Sequence, residues 1–303
     1  MKAAVTQLGE VITSRGLEQY VLELETDGLT IVPPEVTGVT PELLDRCTEV
    51  LLNRFTQMTG CPISIEEGPK GELVWPETPP SPRRGTNAPP PTQMLIQQLL
   101  QLDRCFRDLT VNPVVDALID HLMGRGPMGG KARRLSSTNS FVKWQGDYGY
   151  GEQLGLHCDQ GANPLPWGST ALTANATWCL TEYTKEDGAL AWVPGSHKSN
   201  AHPIQPMATK QAVAAAAPRG SVIIWPGSTW HGAFPKQTPG LRLNAVAYYR
   251  HSSVLPQENL PVTMRDESWD DCDHPDVMRD LLGFDDLFPY LVQSQPVPRL
   301  AHS

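Results

Sequence analysis

No Cys-x-x-Cys pair occurs in this 303-residue chain, whose six cysteines, Cys47, Cys61, Cys105, Cys158, Cys179 and Cys272, stand far apart. That spacing excludes a zinc ribbon and a thioredoxin-like redox pair. No apolar run approaches the ~18 residues needed to cross a bilayer. The opening MKAAVTQLGEVITSRGLEQY lacks the apolar segment and cleavage signature of a secretory leader. A cytoplasmic protein with reduced thiols is expected, which makes Asn175-Ala176-Thr177 a chance match to a glycosylation acceptor. Cations are scarce, with 24 Lys and Arg against 33 Asp and Glu and a net charge of −9. An acidic chain repels phosphate backbones, so no nucleic-acid partner is expected. The densest basic stretch, GKARR at 130–134, reads as a solvated loop running into a strand. Internal repeats are absent. GYGEQLG at 149–155 has the wrong last spacing for a dinucleotide fingerprint.

What is present is ordinary globular composition, 40% hydrophobic and 19% charged, in two regions of different character. Before about residue 130 the chain reads as mostly helical. LEQYVLELET (17–26) suits a helix that stops at Asp27-Gly28, and LTIV (29–32) a short strand. Thr40-Pro41-Glu42 is a helix start: a hydroxyl cap, proline in the first turn, then an acid. Leu43, Leu44, Cys47, Val50, Leu51 and Phe55 follow as an apolar stripe. Residues 61–92 are crowded with proline and read as an irregular insertion, neither helix nor strand. Helices are expected again at 93–107 and 112–123.

After 130, short segments rich in β-branched and aromatic residues alternate with turn residues, at 134–144, 170–182, 189–193, 221–225 and 241–250. Many short strands of this kind indicate a barrel or sandwich. A helical tail is expected at 276–292. The expected organisation is one domain over 1–303: a helix-rich flank (1–130), a β core (131–255) and a C-terminal extension (256–303).

The chemistry concentrates in LGLHCDQGAN (154–163). On an extended chain residues i and i+2 share a face, so the imidazole of His157 and the carboxylate of Asp159 converge. A third donor must come from elsewhere, and His231, in IIWPGSTWHGAFP after an apolar strand and a Pro-Gly turn, is the best placed. Two histidines and a carboxylate form a facial triad with open positions, suited to non-haem Fe(II). Alone, His-x-Asp also fits a turn in which Asp159 caps a backbone amide.

The surrounding pattern, from about Phe141 to Arg250, resembles the phytanoyl-CoA dioxygenase family of Fe(II)/2-oxoglutarate oxygenases. It carries FVK (141–143), HCD (157–159), DGALAWVPGSHK (187–198), GSVIIWPGSTWHGA (220–233) and TPGLRLNAVAYY (238–249), with Arg242 eleven residues beyond His231. The helix followed by Asp27-Gly28 matches only loosely, and the proline-rich insertion has no counterpart.

The resemblance implies a mainly β fold, a double-stranded β-helix (jelly-roll or cupin-like barrel) with flanking helices. It implies Fe(II) held by His157, Asp159 and His231, with 2-oxoglutarate as cosubstrate and O2 as oxidant. Arg242 becomes the anchor for the far carboxylate of 2-oxoglutarate, as befits a planar, always-charged guanidinium. Alternation places Arg242, Asn244 and Val246 on one face, and Thr173, Asn175, Thr177 and Cys179 on one face of another strand. Asn175, Thr177 and Asn139 are further candidates for cosubstrate contact. Trp178 and Cys158 read as packing residues and His197 as a turn residue.

Family members often carry Ser or Thr two residues beyond the distal histidine, where this chain has Ala233. An intact Asp159 disfavours halogenation and leaves hydroxylation, desaturation, epoxidation and ring formation open. Phe141, Trp144, Trp167, Trp230 and Phe234 are expected near the site. They suit a small, mostly apolar substrate, such as a natural-product intermediate, rather than a CoA thioester. A cupin-like metal-dependent hydrolase is disfavoured by Arg242, and a non-catalytic binding protein by the complete ligand set. No membrane partner is expected, and the sequence sets no oligomeric state.

Overall fold

In the computed structural model, residues 2–73, 92–126, 130–146 and 153–286 are described. Their helices are α1 (Lys2–Ser14), α2 (Glu18–Thr26), α3 (Pro34–Thr37), α4 (Pro41–Thr59), α5 (Leu99–Leu102), α6 (Arg104–Thr110), α7 (Pro113–Met123), α8 (Met207–Gln211), α9 (Leu260–Thr263) and α10 (Pro275–Leu282). The strands are β1 (Thr30–Val32), β2 (Ile63–Ser64), β3 (Gly68–Pro69), β4 (Gln93–Gln97), β5 (Arg133–Gly146), β6 (Thr173–Cys179), β7 (Leu190–Trp192), β8 (Val213–Ala214), β9 (Val222–Pro226), β10 (His231–Ala233), β11 (Lys236–Arg242) and β12 (Asn244–His251).

The main sheet is antiparallel in the order β1-β9-β6-β12-β5-β11, with β4 also paired to β5. A smaller sheet, β10-β7-β8, stands opposite it. Together they form a jelly-roll, or double-stranded β-helix, as the family resemblance implied and as a barrel or sandwich reading of the strands allowed. Alternation sorts the main sheet's side chains. Ala174, Ala176 and Trp178 of β6, Val222 and Ile224 of β9, and Ala245, Ala247 and Tyr249 of β12 join one core with helical Leu44, Cys47, Leu51, Phe55, Val115 and Leu118. The opposite residues face the barrel interior. Burying each large apolar side chain there contributes ~1.5–3 kcal/mol, so packing on the sheet, rather than propensity, holds the helices.

Several local expectations match. Thr40 caps α4 by accepting from Leu43 N at 3.3 Å, and Leu44, Cys47, Leu51 and Phe55 are its buried stripe. All six cysteines are buried and free of disulfides. Among the described residues, no helix is long and apolar enough to cross a membrane.

Other expectations are corrected. The helix expected from 93 begins only at Leu99, because Gln93–Gln97 is a strand. Met94 and Ile96 point into the core while Leu95 and Gln97 are exposed, a period of two within a run too short to separate from a helix by pattern. The insertion is not wholly irregular: β2 and β3 form a small hairpin, and Ile65 O accepts from Leu241 N at 2.7 Å. Residues 74–91 of it lie outside the described residues, as does the end of the expected tail helix, which is helical over Pro275–Leu282.

The GKARR segment is not a solvated loop. Arg133 is 1% exposed, pairs with Asp280 at 2.6 Å and also with Asp116. Arg134 pairs with Asp286 at 2.6 Å. A buried guanidinium needs carboxylate partners, and α7 and α10 bring them. The expected strand 241–250 divides at Leu243, where pairing passes from β11 to β12.

Candidate active site

His157 and His231 come from distant parts of the chain and meet backbone to backbone. Each amide donates to the other's carbonyl at 2.8 Å, an isolated antiparallel bridge at the start of β10. Gly232 permits the approach, because a β-carbon there would strike the Leu154 carbonyl. Cys158 is extended (φ −127°, ψ 131°) before a short 3-10 turn over Asp159–Ala162. The segment is therefore not a regular strand, yet one extended residue turns its two neighbours the same way. The Cys158 side chain packs away from them with Trp167, Val193 and Trp230.

The imidazoles are held in a definite tautomer. His157 Nδ1 lies 2.8 Å from Gly155 O, and His231 Nδ1 lies 3.0 Å from Thr229 O. A carbonyl only accepts, so each Nδ1 carries the proton and each Nε2 presents a lone pair. Nε2 of His157 is 3.4 Å from one Asp159 carboxylate oxygen, and Nε2 of His231 is 3.6 Å from the other. One ligand atom from each of the three residues lies within 4.8 Å of the others. Two neutral imidazoles and one carboxylate converging from one side is the donor set of a facial triad.

The electrostatics follow from the same crowding. Burial works against the Asp159 charge, but His231, His157 and the Asn175 amide outweigh it and hold the carboxyl below its ordinary range. Burial holds His231 down. For His157 burial also acts downward, and its bond to Asp159 overcomes it, leaving a net rise.

The three side chains stand on the wall of a cavity of about 430 Å³. Arg242 lines its far end, 5% exposed. Its Nη1 donates to the Tyr183 hydroxyl at 2.9 Å, and its Nε is buried without a hydrogen-bond partner among the described residues. No described carboxylate pairs with it. Lys143, its cross-strand neighbour, donates to Phe234 O at 2.5 Å. Burial, reinforced by Arg242 and Lys236, brings the Lys143 amine down to about 6. The acid nearby, Asp187, pairs with Lys236 at 3.2 Å. A buried guanidinium in a cavity wall, with no carboxylate partner among the described residues, calls for an anion. The residues present therefore fit both an iron ion and a dicarboxylate reaching from it to Arg242.

The other expected residues distribute unevenly. Asn139, Asn175 and Thr177 all line the cavity. Asn175 Nδ2 donates to Asp159 Oδ2 at 2.7 Å, so the amide orients the carboxylate ligand. Asn139 Oδ1 is buried without a partner among the described residues. His197 sits apart, its Nε2 3.3 Å from Glu25 O.

Of the five aromatic residues expected near the site, only Phe141 lines the cavity. Trp144 stacks edge-on against Phe55, and Trp230 donates to Ala201 O at 2.7 Å. Trp144 is out of phase with the inward residues of β5, and Trp230 lies just before β10. Trp225, Tyr183 and Tyr248 take their place. Gln93, Gln97 and Gln257 also line the cavity. The first two were hidden by the helical reading of 93–107. Gln257 follows the strands and carries no local signal.

Comparison with known proteins agrees with this geometry. The family described as phytanoyl-CoA dioxygenase (PhyH) matches residues 78–244, a span holding His157, Asp159, His231 and Arg242. Dioxygenase af480 of Aspergillus fumigatus is 29% identical over 174 residues, 56% of this chain and 53% of its own length. Dioxygenase andF of Emericella variicolor is 35% identical over 100 residues, 32% of this chain and 34% of its own. The chain thus spans about half or less of the length of the curated relatives it matches. Among solved structures, HygX of Streptomyces hygroscopicus with nickel and 2-oxoglutarate bound superposes at a TM-score of 0.52, with 14% identity over 77% of this chain and 86% of its own. SnoN, a non-haem α-ketoglutarate-dependent epimerase of nogalamycin biosynthesis, superposes at 0.53, with 17% identity over 80% and 86%. These two show the fold. The family match over more than half of the sequence makes this chain a member of the phytanoyl-CoA dioxygenase family of iron- and 2-oxoglutarate-dependent oxygenases.

Proposed function

We propose that His157, Asp159 and His231 hold Fe(II), that Arg242 anchors the far carboxylate of 2-oxoglutarate, and that the chain hydroxylates an unactivated C–H bond of a small, neutral, mostly apolar molecule. The observation that carries this reading is the pairing of two features in one cavity: three converging candidate ligand atoms within 4.8 Å, and a buried arginine with no carboxylate partner among the described residues.

When bound, iron with 2-oxoglutarate supplies the activation of O2, with succinate and CO2 as co-products. This chain's residues bind, orient and exclude water. Gly155 O and Thr229 O fix the imidazoles, and Asn175 fixes the carboxylate. Thr177 and Asn139, which line the same cavity, are taken as further cosubstrate contacts. Leu95, Phe141, Val246 and Trp225 give the cavity apolar walls, and Gln93, Gln97 and Gln257 give neutral hydrogen-bonding groups.

The substrate class follows from charge. Among the described residues, only the three candidate metal-binding side chains and Arg242 line the cavity as charged groups. No described lining residue would neutralise the phosphates of coenzyme A, which supports a free molecule, such as a natural-product intermediate, over a thioester. Two structural relatives named as an epimerase and a carbocyclase of nogalamycin biosynthesis support work on scaffolds of that size.

The test is anaerobic titration of Fe(II)-loaded protein with 2-oxoglutarate. A visible charge-transfer band should grow to saturation. Leaving the partner of a buried charge unpaired costs ~2–5 kcal/mol, so Arg242→Ala should weaken the 2-oxoglutarate Kd about 30-fold or more. No band, or an unchanged Kd in the variant, sinks the reading. Screening neutral and CoA-linked compounds for succinate release then identifies the substrate class.

A further inference from the structure

Arg242 does not close the far end of the cavity by itself. Tyr183, in the segment after β6, lines the same end and is 1% exposed. Its hydroxyl accepts from Arg242 Nη1 at 2.9 Å, and the guanidinium carbon lies 5.1 Å from its ring centroid. With the guanidinium donating to it, the phenol oxygen acts as an acceptor there and its own proton points elsewhere. Among the described residues no hydrogen bond uses that proton. Burial, the largest influence on this group, pushes it up to about 12, so the proton stays in place at neutral pH.

Resting on the 2-oxoglutarate reading above, we infer that Tyr183 is a cosubstrate-binding residue, donating its hydroxyl proton to the far carboxylate that Arg242 grips. The phenol and the guanidinium then form one donor set. Arg242 polarises the phenol, and the phenol fixes the guanidinium's rotation. The site thereby selects a keto acid with a second carboxylate at the right distance.

The test uses the full chain loaded with Ni(II), which is redox-inert, titrated calorimetrically with 2-oxoglutarate and with 2-oxobutyrate. Both acids chelate a metal through the keto-acid end, and only the first has a far carboxylate. A hydrogen bond to a charged group is lost in Tyr183→Phe, so 2-oxoglutarate should bind about tenfold more weakly or worse. 2-Oxobutyrate should bind wild type and variant alike.

Equal 2-oxoglutarate affinity in wild type and Tyr183→Phe overturns the inference. An equal loss for both acids also overturns it, because the effect is then on the metal or the fold. Should Tyr183→Phe fail to fold, 3-fluorotyrosine at position 183 is a stronger donor on the same ring and should tighten 2-oxoglutarate alone; no change overturns the inference. If metal-loaded wild type does not bind 2-oxoglutarate at all, the cosubstrate reading itself has failed, a result distinct from these.

Discussion

Asn175 shows how much of this site depends on groups one bond removed from the metal ligands. Its amide is the only described side-chain donor bonded to Asp159 Oδ2. Removing it in Asn175→Leu should lower metal affinity about 10–100-fold, read by competition with a coloured chelator, while thermal unfolding of the metal-free protein changes little. Lys143 carries a different prediction. Burial, with Arg242 and Lys236 adding to it, brings its amine down to about 6, whereas an unfolded lysine titrates near ~10.4. Between these limits the unfolded chain binds a proton that the folded chain lacks, so stability should rise with pH across that window. Lys143→Met should remove this component. It should raise the stability of the cosubstrate-free protein at pH 7 and flatten the slope between pH 6 and 10 in denaturant titrations. An unchanged slope would falsify the neutral-lysine reading.

At the scale of elements, the site is made by a junction rather than by one strand. The bridge between His157 and His231 needs β10 to pass against the Leu154–Gly155 backbone, and Gly232 has no room for a β-carbon there. Gly232→Ala should therefore displace one histidine from the other and abolish tight Ni(II) binding, with the circular dichroism of the sheet retained. Metal binding at wild-type strength would show that the bridge is dispensable. The helical flank is more ordinary. Thr40→Ala removes the cap of α4 and should cost about 1 kcal/mol in chemical denaturation, without effect on metal binding. β4 teaches the converse lesson. Its alternation over Gln93–Gln97 is real, yet five residues beside a helical run do not declare their period until β5 supplies hydrogen bonds.

At the scale of the whole molecule, folding sets the Arg242 and Lys236 charges against each other beside the neutral Lys143 amine, with Asp187 paired to Lys236. A dianion bound there relieves that repulsion and links binding to stability. With Ni(II) present and 2-oxoglutarate at a hundred times its Kd, the folded state should gain about 2.7 kcal/mol. Thermal unfolding should show an upward shift that depends on metal and is reversed by chelator. A shift of the same size without metal would mean that the acid binds elsewhere.

The sequence alone marked the β-rich core, through short strands between turn residues, and the candidate residues His157, Asp159, His231 and Arg242. An extended i, i+2 pair suggested the first two, and the resemblance of the surrounding pattern to a known family completed the set. The tertiary structure alone decided that Tyr183 meets Arg242, that Asn175 turns to Asp159, and that glutamines from β4 and from beyond β12 share one cavity. It also decided that Trp144 and Trp230 face away from it. These depend on which strands pair and in what register. A contact between residues 59 positions apart, as between Tyr183 and Arg242, leaves no periodic trace in either segment.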